Sequence, residues 1–432
     1  MRYGHGVPTD RADPAASDWR RVLAVLFAAQ LLTAIGFSTI FPFLPSYVEH
    51  LGSATGAPLL LMVTLVFSVQ ALAMMFASPV WGALGDRFGR KRMVERAMYS
   101  GAVTILLMGF VGSAEQLIGL RLLQGLTTGV MGASGALVAA AVPRDRIGYA
   151  MGLMQTGLLS GASVGPMIGG LLEYTLGYRP AFMVTATLLL IGALLVSTLV
   201  REHFVPPERD GRSAGVSGFF QTLLAVIRTP VVAPVFAVRF LAWTGRSMII
   251  PFLPLLVAGL MGGAPGAGLV TGLAIGASSA AGTLTSVVLG RLGDRIGHRR
   301  VALVCAALSV AAYAPLAFVR SPAALVALYA LTGATVGGVL PTLAALLAKV
   351  TERGSSGAVY GLDNSFGAGA RAVSPVIGGA VVALATGAAI EPGVRAYASV
   401  FLAAGACFLA ALALLALTVP AGADAPAGGA SR

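Results

Sequence analysis

Gly82-Ala83-Leu84-Gly85-Asp86-Arg87-Phe88-Gly89-Arg90-Lys91-Arg92 is answered later in the chain by Gly290-Arg291-Leu292-Gly293-Asp294-Arg295-Ile296-Gly297-His298-Arg299-Arg300. Clustered arginines at a turn have a simple origin in membrane topology. An aspartate at the same place in both copies does not. Asp86 and Asp294 lie 208 residues apart, and other landmarks keep that offset. Pro42-Phe43-Leu44-Pro45 returns as Pro251-Phe252-Leu253-Pro254 at 209, Gly125 as Gly333 at 208, and Pro166 as Pro375 at 209. Four landmarks agreeing within one residue describe an internal duplication.

Between the landmarks the chain is apolar. Of its 432 residues 57% are hydrophobic and only 11% charged, against roughly 25% charged in soluble domains. Apolar stretches of at least ~18 residues, long enough to cross the hydrocarbon core, predict helical spans. They fall at 22–47, 57–82, 93–113, 115–141, 148–173, 180–200, 231–258, 266–290, 299–319, 322–350, 357–385 and 394–419. The alternating strands of about ten residues that a membrane β-barrel needs are absent from the sequence. The expected fold is therefore an all-α membrane protein, with twelve transmembrane helices in two pseudo-symmetric bundles of six. Six helices separate the copies, an even number, so both halves share one orientation about an axis along the membrane normal.

This division predicts an N-terminal segment at 1–21, a first bundle at 22–200, a linker at 201–229, a second bundle at 230–419 and a tail at 420–432. The linker is charged and carries Pro206-Pro207, and residues 219–227 predict a short interfacial helix. The Ala/Gly/Pro-rich tail is expected to be disordered. No cleavable signal pattern precedes the first span.

The formal net charge of +12 invites a nucleic-acid reading, and the placement of the charges removes it. Twenty-two of the 29 basic residues fall on the termini and on connections 2–3, 4–5, 6–7, 8–9 and 10–11. The opposite face has only Arg179, Arg320 and Arg395. We call these the basic end and the far end. The positive-inside rule puts the basic end, with both termini, in the cytoplasm. Cys305 and Cys407 lie inside apolar spans and are expected to pack rather than to pair. All four histidines fall in loops or at helix ends, and neither a metal-ligand cluster nor a phosphate-binding loop is visible. The sequence thus predicts no enzyme, no metal and no cofactor, with small molecules, protons and lipid as partners and a monomer as the working unit.

With these motifs in place, the chain resembles the major facilitator superfamily. Residues 82–92 resemble its loop 2–3 motif, and Arg121-Leu122-Leu123-Gln124-Gly125 resembles its helix 4 motif. In span 5, Gly157-Leu158-Leu159-Ser160-Gly161-Ala162-Ser163-Val164-Gly165-Pro166-Met167-Ile168-Gly169-Gly170 resembles the antiporter motif of the twelve-helix drug:proton antiporter family. Residues 37–52 and Gly177-Tyr178-Arg179-Pro180-Ala181-Phe182 are similar to bacterial multidrug efflux proteins of that family. The resemblance implies a conformational switch at Gly82, Asp86, Arg87, Gly89, Arg90 and Asp294. It also implies a kinked span 5 at the interface between halves, with Gly157, Gly161, Gly165, Pro166, Gly169 and Gly170 as its motif. By spacing alone, Gly161, Gly165 and Gly169 make a groove for close helix packing, and Pro166 removes one backbone hydrogen bond.

Charges inside the spans are costly and normally face a cavity or a partner. Arg121 lies in span 4, and the resemblance implies a part in proton coupling; snorkelling to the outer interface is the plainer alternative. Its repeat position is Tyr329. Arg239 and Arg246 share one face of span 7, with Arg246 roughly 24 Å along it. Span 11 carries Asp363, Asn364 and Arg371. Asp363 and Arg371 are about 12 Å apart along that helix and cannot pair. Asp363 is therefore expected to meet a base on another helix, with span 7 the preferred source, either as a structural ion pair or as a proton carrier. Gln30, Gln70, Gln124, Gln155 and Trp243 either line the same pathway or pack between helices.

Four deep arginines against one deep acid predict a basic chamber, suited to an anionic or zwitterionic substrate. Family drug antiporters often carry a membrane carboxylate in the N-terminal half; here Glu49 and Glu173 lie only near outer helix ends. The function expected is proton-coupled efflux of drugs or small amphipathic or anionic compounds by alternating access. A solute importer of the same fold is the alternative, and a membrane-embedded enzyme stands furthest away.

Overall fold

The computed structural model describes residues 14–129, 134–135, 137–138, 141–143, 146–200, 202, 232–350, 356–387 and 392–420, without the side chains of 14–18, 79, 83, 86, 348–350, 356–362 and 364. The linker apart from Glu202, the 219–227 segment and the tail beyond residue 420 lie outside this description.

Span 1 comprises Pro14–Thr39 and Leu44–Leu51, span 2 Leu59–Phe88, span 3 Arg90–Met108, and span 4 opens with Ala114–Thr127. Span 5 is Ile147–Leu176 and span 6 Tyr178–Leu199. In the second half, span 7 comprises Val232–Ser247 and Leu253–Leu260, and span 8 is Ala267–Ile296. Span 9 is His298–Tyr313 with the 3-10 turn Ala314–Phe318, span 10 Pro322–Val350, span 11 Ser356–Thr386 and span 12 Val394–Thr418. No strand occurs among the described residues. Eight of these helices are by length and hydropathy able to cross a membrane unaided: spans 1, 2, 6, 8, 9, 10, 11 and 12. The other four are charged at one end, interrupted, or rich in glycine and serine.

Two expectations need correction. Spans 1 and 7 are not single helices; each breaks at its Pro-Phe-Leu-Pro sequence. A proline has no N–H to give, so two prolines three residues apart interrupt the ladder at the same place in both halves. Phe43 and Phe252 plug the breaks and are buried, with Phe43 edge-on to Phe182 at 5.3 Å between ring centres. The expected loop between spans 2 and 3 is likewise almost absent. Helix continues to Phe88 and restarts at Arg90, leaving Gly89 at φ 102° as the joint. Gly297, at φ 100°, does the same between spans 8 and 9. A side chain is disfavoured in that conformation, so glycine fixes the corner.

Each joint is pinned by its own half. The amides of Arg90 and Lys91 donate to the Glu202 carboxylate at 3.0 and 2.8 Å, an anion at a helix N-terminus. Lys91 Nζ donates to the Ser197 carbonyl of span 6 at 2.9 Å. In the second half Arg299 donates to the Val419 and Ala416 carbonyls of span 12, at 2.6 and 3.0 Å.

The duplication governs packing as well as sequence. A methyl on Gly125 would overlap the Gln70 carbonyl oxygen, and one on Gly333 the Ser278 carbonyl oxygen. Gln70 and Ser278 are themselves 208 residues apart. Span 4 therefore touches span 2 as span 10 touches span 8, backbone against backbone. Such contacts hold helices together in lipid, where hydrophobic exclusion contributes little.

Candidate functional site

Span 5 shows where the glycine ladder points. A methyl on Gly161 would come 2.5 Å from Ala34 Cβ and 2.8 Å from the Leu31 carbonyl oxygen; on Gly165 or Gly169 it would overlap Ser38 Oγ or the Thr39 carbonyl. Ser38 Oγ shares its one proton between the Ala34 carbonyl of its own helix at 2.6 Å and the Gly161 carbonyl at 3.1 Å. The ladder thus seats span 1 of its own half, the close helix packing that its spacing predicts. The interface role falls to the adjacent face. The Pro166 carbonyl lies against Gly272 of span 8, Gly170 lies against Gly268, and a methyl on Gly276 would reach the Ser163 carbonyl at 2.7 Å. Spans 11 and 2 make the matching contact, where a methyl on Gly379 would meet Thr64 Oγ1 at 2.7 Å and one on Gly369 would meet Met75 Sδ at 3.4 Å. At the far end the short second helices of spans 1 and 7 also touch. The two halves are closed on each other there.

The base that meets Asp363 is Arg239. Its Nε and Nη2 hold the two carboxylate oxygens at 2.5 and 2.6 Å, and Nη1 donates to the Leu340 carbonyl at 2.9 Å. Arg239 is 5% exposed. A bidentate pair satisfies both partners in a medium where either alone would be costly. Spans 7 and 11 meet again where the Arg371 guanidinium lies over the Trp243 ring at 5.4 Å. About one helical turn beyond Trp243, Arg246 lines a cavity of about 40 Å³ with Ile250, Ile275, Ser278, Ser279, Tyr313, Tyr329 and Thr332. Neither Arg246 nor Arg371 has a carboxylate partner among the described residues. Asn364 has no described side chain.

In the first half Arg121 is 2% exposed, so it does not snorkel. Nε donates to the Val66 carbonyl at 3.1 Å and Nη1 to Gln124 Oε1 at 2.7 Å, while Phe67 lies 5.7 Å away. Gln30 and Gln124 are buried, each with one amide atom unpartnered among the described residues. Gln155 is exposed and joins none of these groups. At the basic end, Arg87 and Gly82 are exposed, and Asp294 faces His298 Nε2 at 3.2 Å. The Asp86 side chain lies outside the described residues.

The model of the Major Facilitator Superfamily matches residues 26–262 and 235–431. The chain belongs to the Major Facilitator Superfamily. Within it, the chain is 35% identical over 367 residues to multidrug resistance protein MdtG of Salmonella paratyphi B, covering 85% of this chain and 90% of that one. MdtG of Salmonella typhimurium matches to the same extent. Among solved structures, the human organic anion transporter MFSD10 (TETRAN) superposes with TM-score 0.66 at 21% identity, over 93% of this chain and all of that one. The nucleoside transporter NupG gives 0.73 at 14% identity, over 91% and 99%. At such identities the structural likenesses speak for the fold. Together with the MdtG relatives, membership makes the chain a multi-pass secondary transporter of the drug-efflux type in the bacterial inner membrane, handling small molecules, and not an enzyme.

Reasoning from sequence missed part of this superfamily member's chamber wall. Tyr313, Tyr329, Thr332, Ser278 and Ser279 sit in apolar stretches where hydroxyl side chains read as packing. One signal was present: Tyr329 occupies the repeat position of Arg121, so the duplication itself marks the spot as polar in both halves.

Proposed function

We propose that the chain exports small amphipathic or anionic compounds in exchange for protons. Its two halves rock about the chamber between spans 1, 4, 5 and 7, 8, 10, 11, with the termini and basic end in the cytoplasm, and the monomer is the working unit. The proton gradient supplies the energy, and no step calls for a cofactor. The far-end contacts correspond to the state closed to the outside. Separating spans 5 and 8 and spans 11 and 2 opens it, with the joints around Gly89, Asp86 and Asp294 holding the opposite state. Asp363, through its pairing with Arg239, and Arg121 are the groups assigned to coupling. Arg239, Arg246, Arg371, Asn364, Gln124, Gln155, Gln30 and Trp243 are assigned to the solute pathway.

One observation carries the substrate class. The single deep carboxylate is spent on Arg239, which leaves Arg246, in the wall of the cavity, and Arg371, over the Trp243 ring, without a carboxylate among the described residues. An anionic solute supplies that charge, and a lipophilic cation is repelled by it. The test is transport in proteoliposomes under an imposed pH gradient, with compounds matched in shape and differing in charge. Anion movement against its gradient, abolished by a protonophore, is the expected result. Export confined to cations ends the proposal.

A further inference from the structure

Arg246 lies ~21 Å along span 7 from Val232. Tyr329 lies ~10 Å along span 10 from its opposite start, so the two meet at one depth in the membrane. The cavity they share has one fully buried wall: Tyr313, Tyr329 and Thr332 are 2%, 6% and 1% exposed. That wall is rigid. The Tyr313 ring stacks on Phe408 at 5.4 Å, and the Tyr329 ring stands edge-on to Phe401 at 6.2 Å. Thr332 Oγ1 donates to the Tyr329 carbonyl at 2.7 Å. The Tyr329 hydroxyl has no hydrogen-bond partner among the described residues and stands near the Arg246 charge. The opposite wall, Arg246, Ile250, Ser278 and Ser279, is only half-buried and forms the entrance.

Size and chemistry agree on what fits. A volume of about 40 Å³ holds about three waters, which is far too little for a drug-sized molecule. It suits a single oxyanion group. A guanidinium supplies charge and directed N–H donors, and the Tyr329 hydroxyl, whose proton is not given to another described group, supplies a further donor. We propose that this cavity is the slot for the acidic group of the substrate, a carboxylate, sulfonate or phosphonate. Arg246 pairs with it, Tyr329 donates a hydrogen bond to it, and the apolar body of the solute stays outside, beyond Ile250. The proposal rests on the anionic-substrate reading above and adds the residues that read the charge. The equivalent positions in the first half are Phe37 and Arg121, so that half has no arginine at the Arg246 position.

The test is equilibrium binding to the purified full-length protein in lipid nanodiscs, followed by the fluorescence of three dansyl probes. Dansylglycine is the anion, dansylglycinamide the neutral match and dansylcholine the cation. Dansylglycine binds the wild type best, and Arg246→Gln weakens it about 10- to 100-fold while changing dansylglycinamide less than about twofold. Arg246→Lys recovers part of the loss, since charge returns without the planar fork. Tyr329→Phe, which keeps the ring packing, weakens dansylglycine about 3- to 10-fold. Equal loss of both probes in Arg246→Gln, or unchanged dansylglycine binding, overturns the slot. So does a wild type that binds no dansylglycine saturably. Because binding is read without any gradient, a failure of proton-driven export in vesicles leaves this result standing, and the two proposals can fall separately.

Discussion

Spans 1 and 5 in the first half and spans 7 and 11 in the second occupy equivalent places, yet they are joined by different chemistry. In the first pair, Gly157 receives the Phe27 ring, with a would-be methyl 3.1 Å from it, and Gly161, Gly165 and Gly169 bring backbone onto backbone. In the second pair, position 157 has become Phe366, whose ring packs on Phe236, the repeat of Phe27, at 4.9 Å. Gln30 and Met154 have become Arg239 and Asp363, which form the bidentate pair. Ala34 and Ala162 have become Trp243 and Arg371, stacked cation on ring. One architecture is thus held once by shape and once by charge. Where glycines give way to larger residues there is room for polar groups, and in the second half these include two arginines, Arg246 and Arg371, without a carboxylate partner among the described residues.

The sharpest way to break this comparison is Asp363→Asn. It strands Arg239 in the chamber wall and is expected to cost ~3–5 kcal/mol. The double variant Arg239→Met with Asp363→Leu is expected to recover most of that loss. Reversible unfolding in mixed micelles measures both. A double variant no better than the single one would mean the pair is not what holds spans 7 and 11. Next comes Gly165→Val, which drives a branched side chain into Ser38 and the Ile35 carbonyl and is expected to cost ~3 kcal/mol. The fall in melting temperature reads it, and a shift below that of Gly82→Val, where a side chain meets open space, would refute the shape argument. Ser38→Ala removes the bond to the Gly161 carbonyl and is expected to cost ~0.6 kcal/mol. Hydrogen exchange at the amides of span 5 detects a loss that small. Gly82→Ala at the exposed end of the loop motif is expected within ~0.5 kcal/mol, so any effect it has on transport rates would report switching rather than stability.

The architecture was legible because its signals are redundant. Apolar length gave the spans, arginine placement gave the sidedness expected of them, and four landmarks gave the duplication, each independently of side-chain contacts. The partner of Asp363 was legible to the level of the helix, because a deep acid in lipid needs a base and span 7 carried two. Which of the two depends on helix rotation, and that is set by packing. The direction of the glycine ladder was hidden for the same reason. Span 5 has small residues on two faces, and sequence spacing cannot say that Gly161 and Gly165 meet span 1 while Gly170 meets span 8. The tyrosines of the cavity were hidden because a hydroxyl on an aromatic ring changes hydropathy too little to stand out.

Glu202 stands at the head of the chain that ties the two halves together, and its carboxylate is fastened to the first two amides of span 3, at the corner made by Gly89. The chain that leaves span 6 is thus fastened to its own half before it moves on: the Glu202 carboxylate neutralises the positive end of span 3 at the Gly89 corner, beside the aspartate of the duplicated motif.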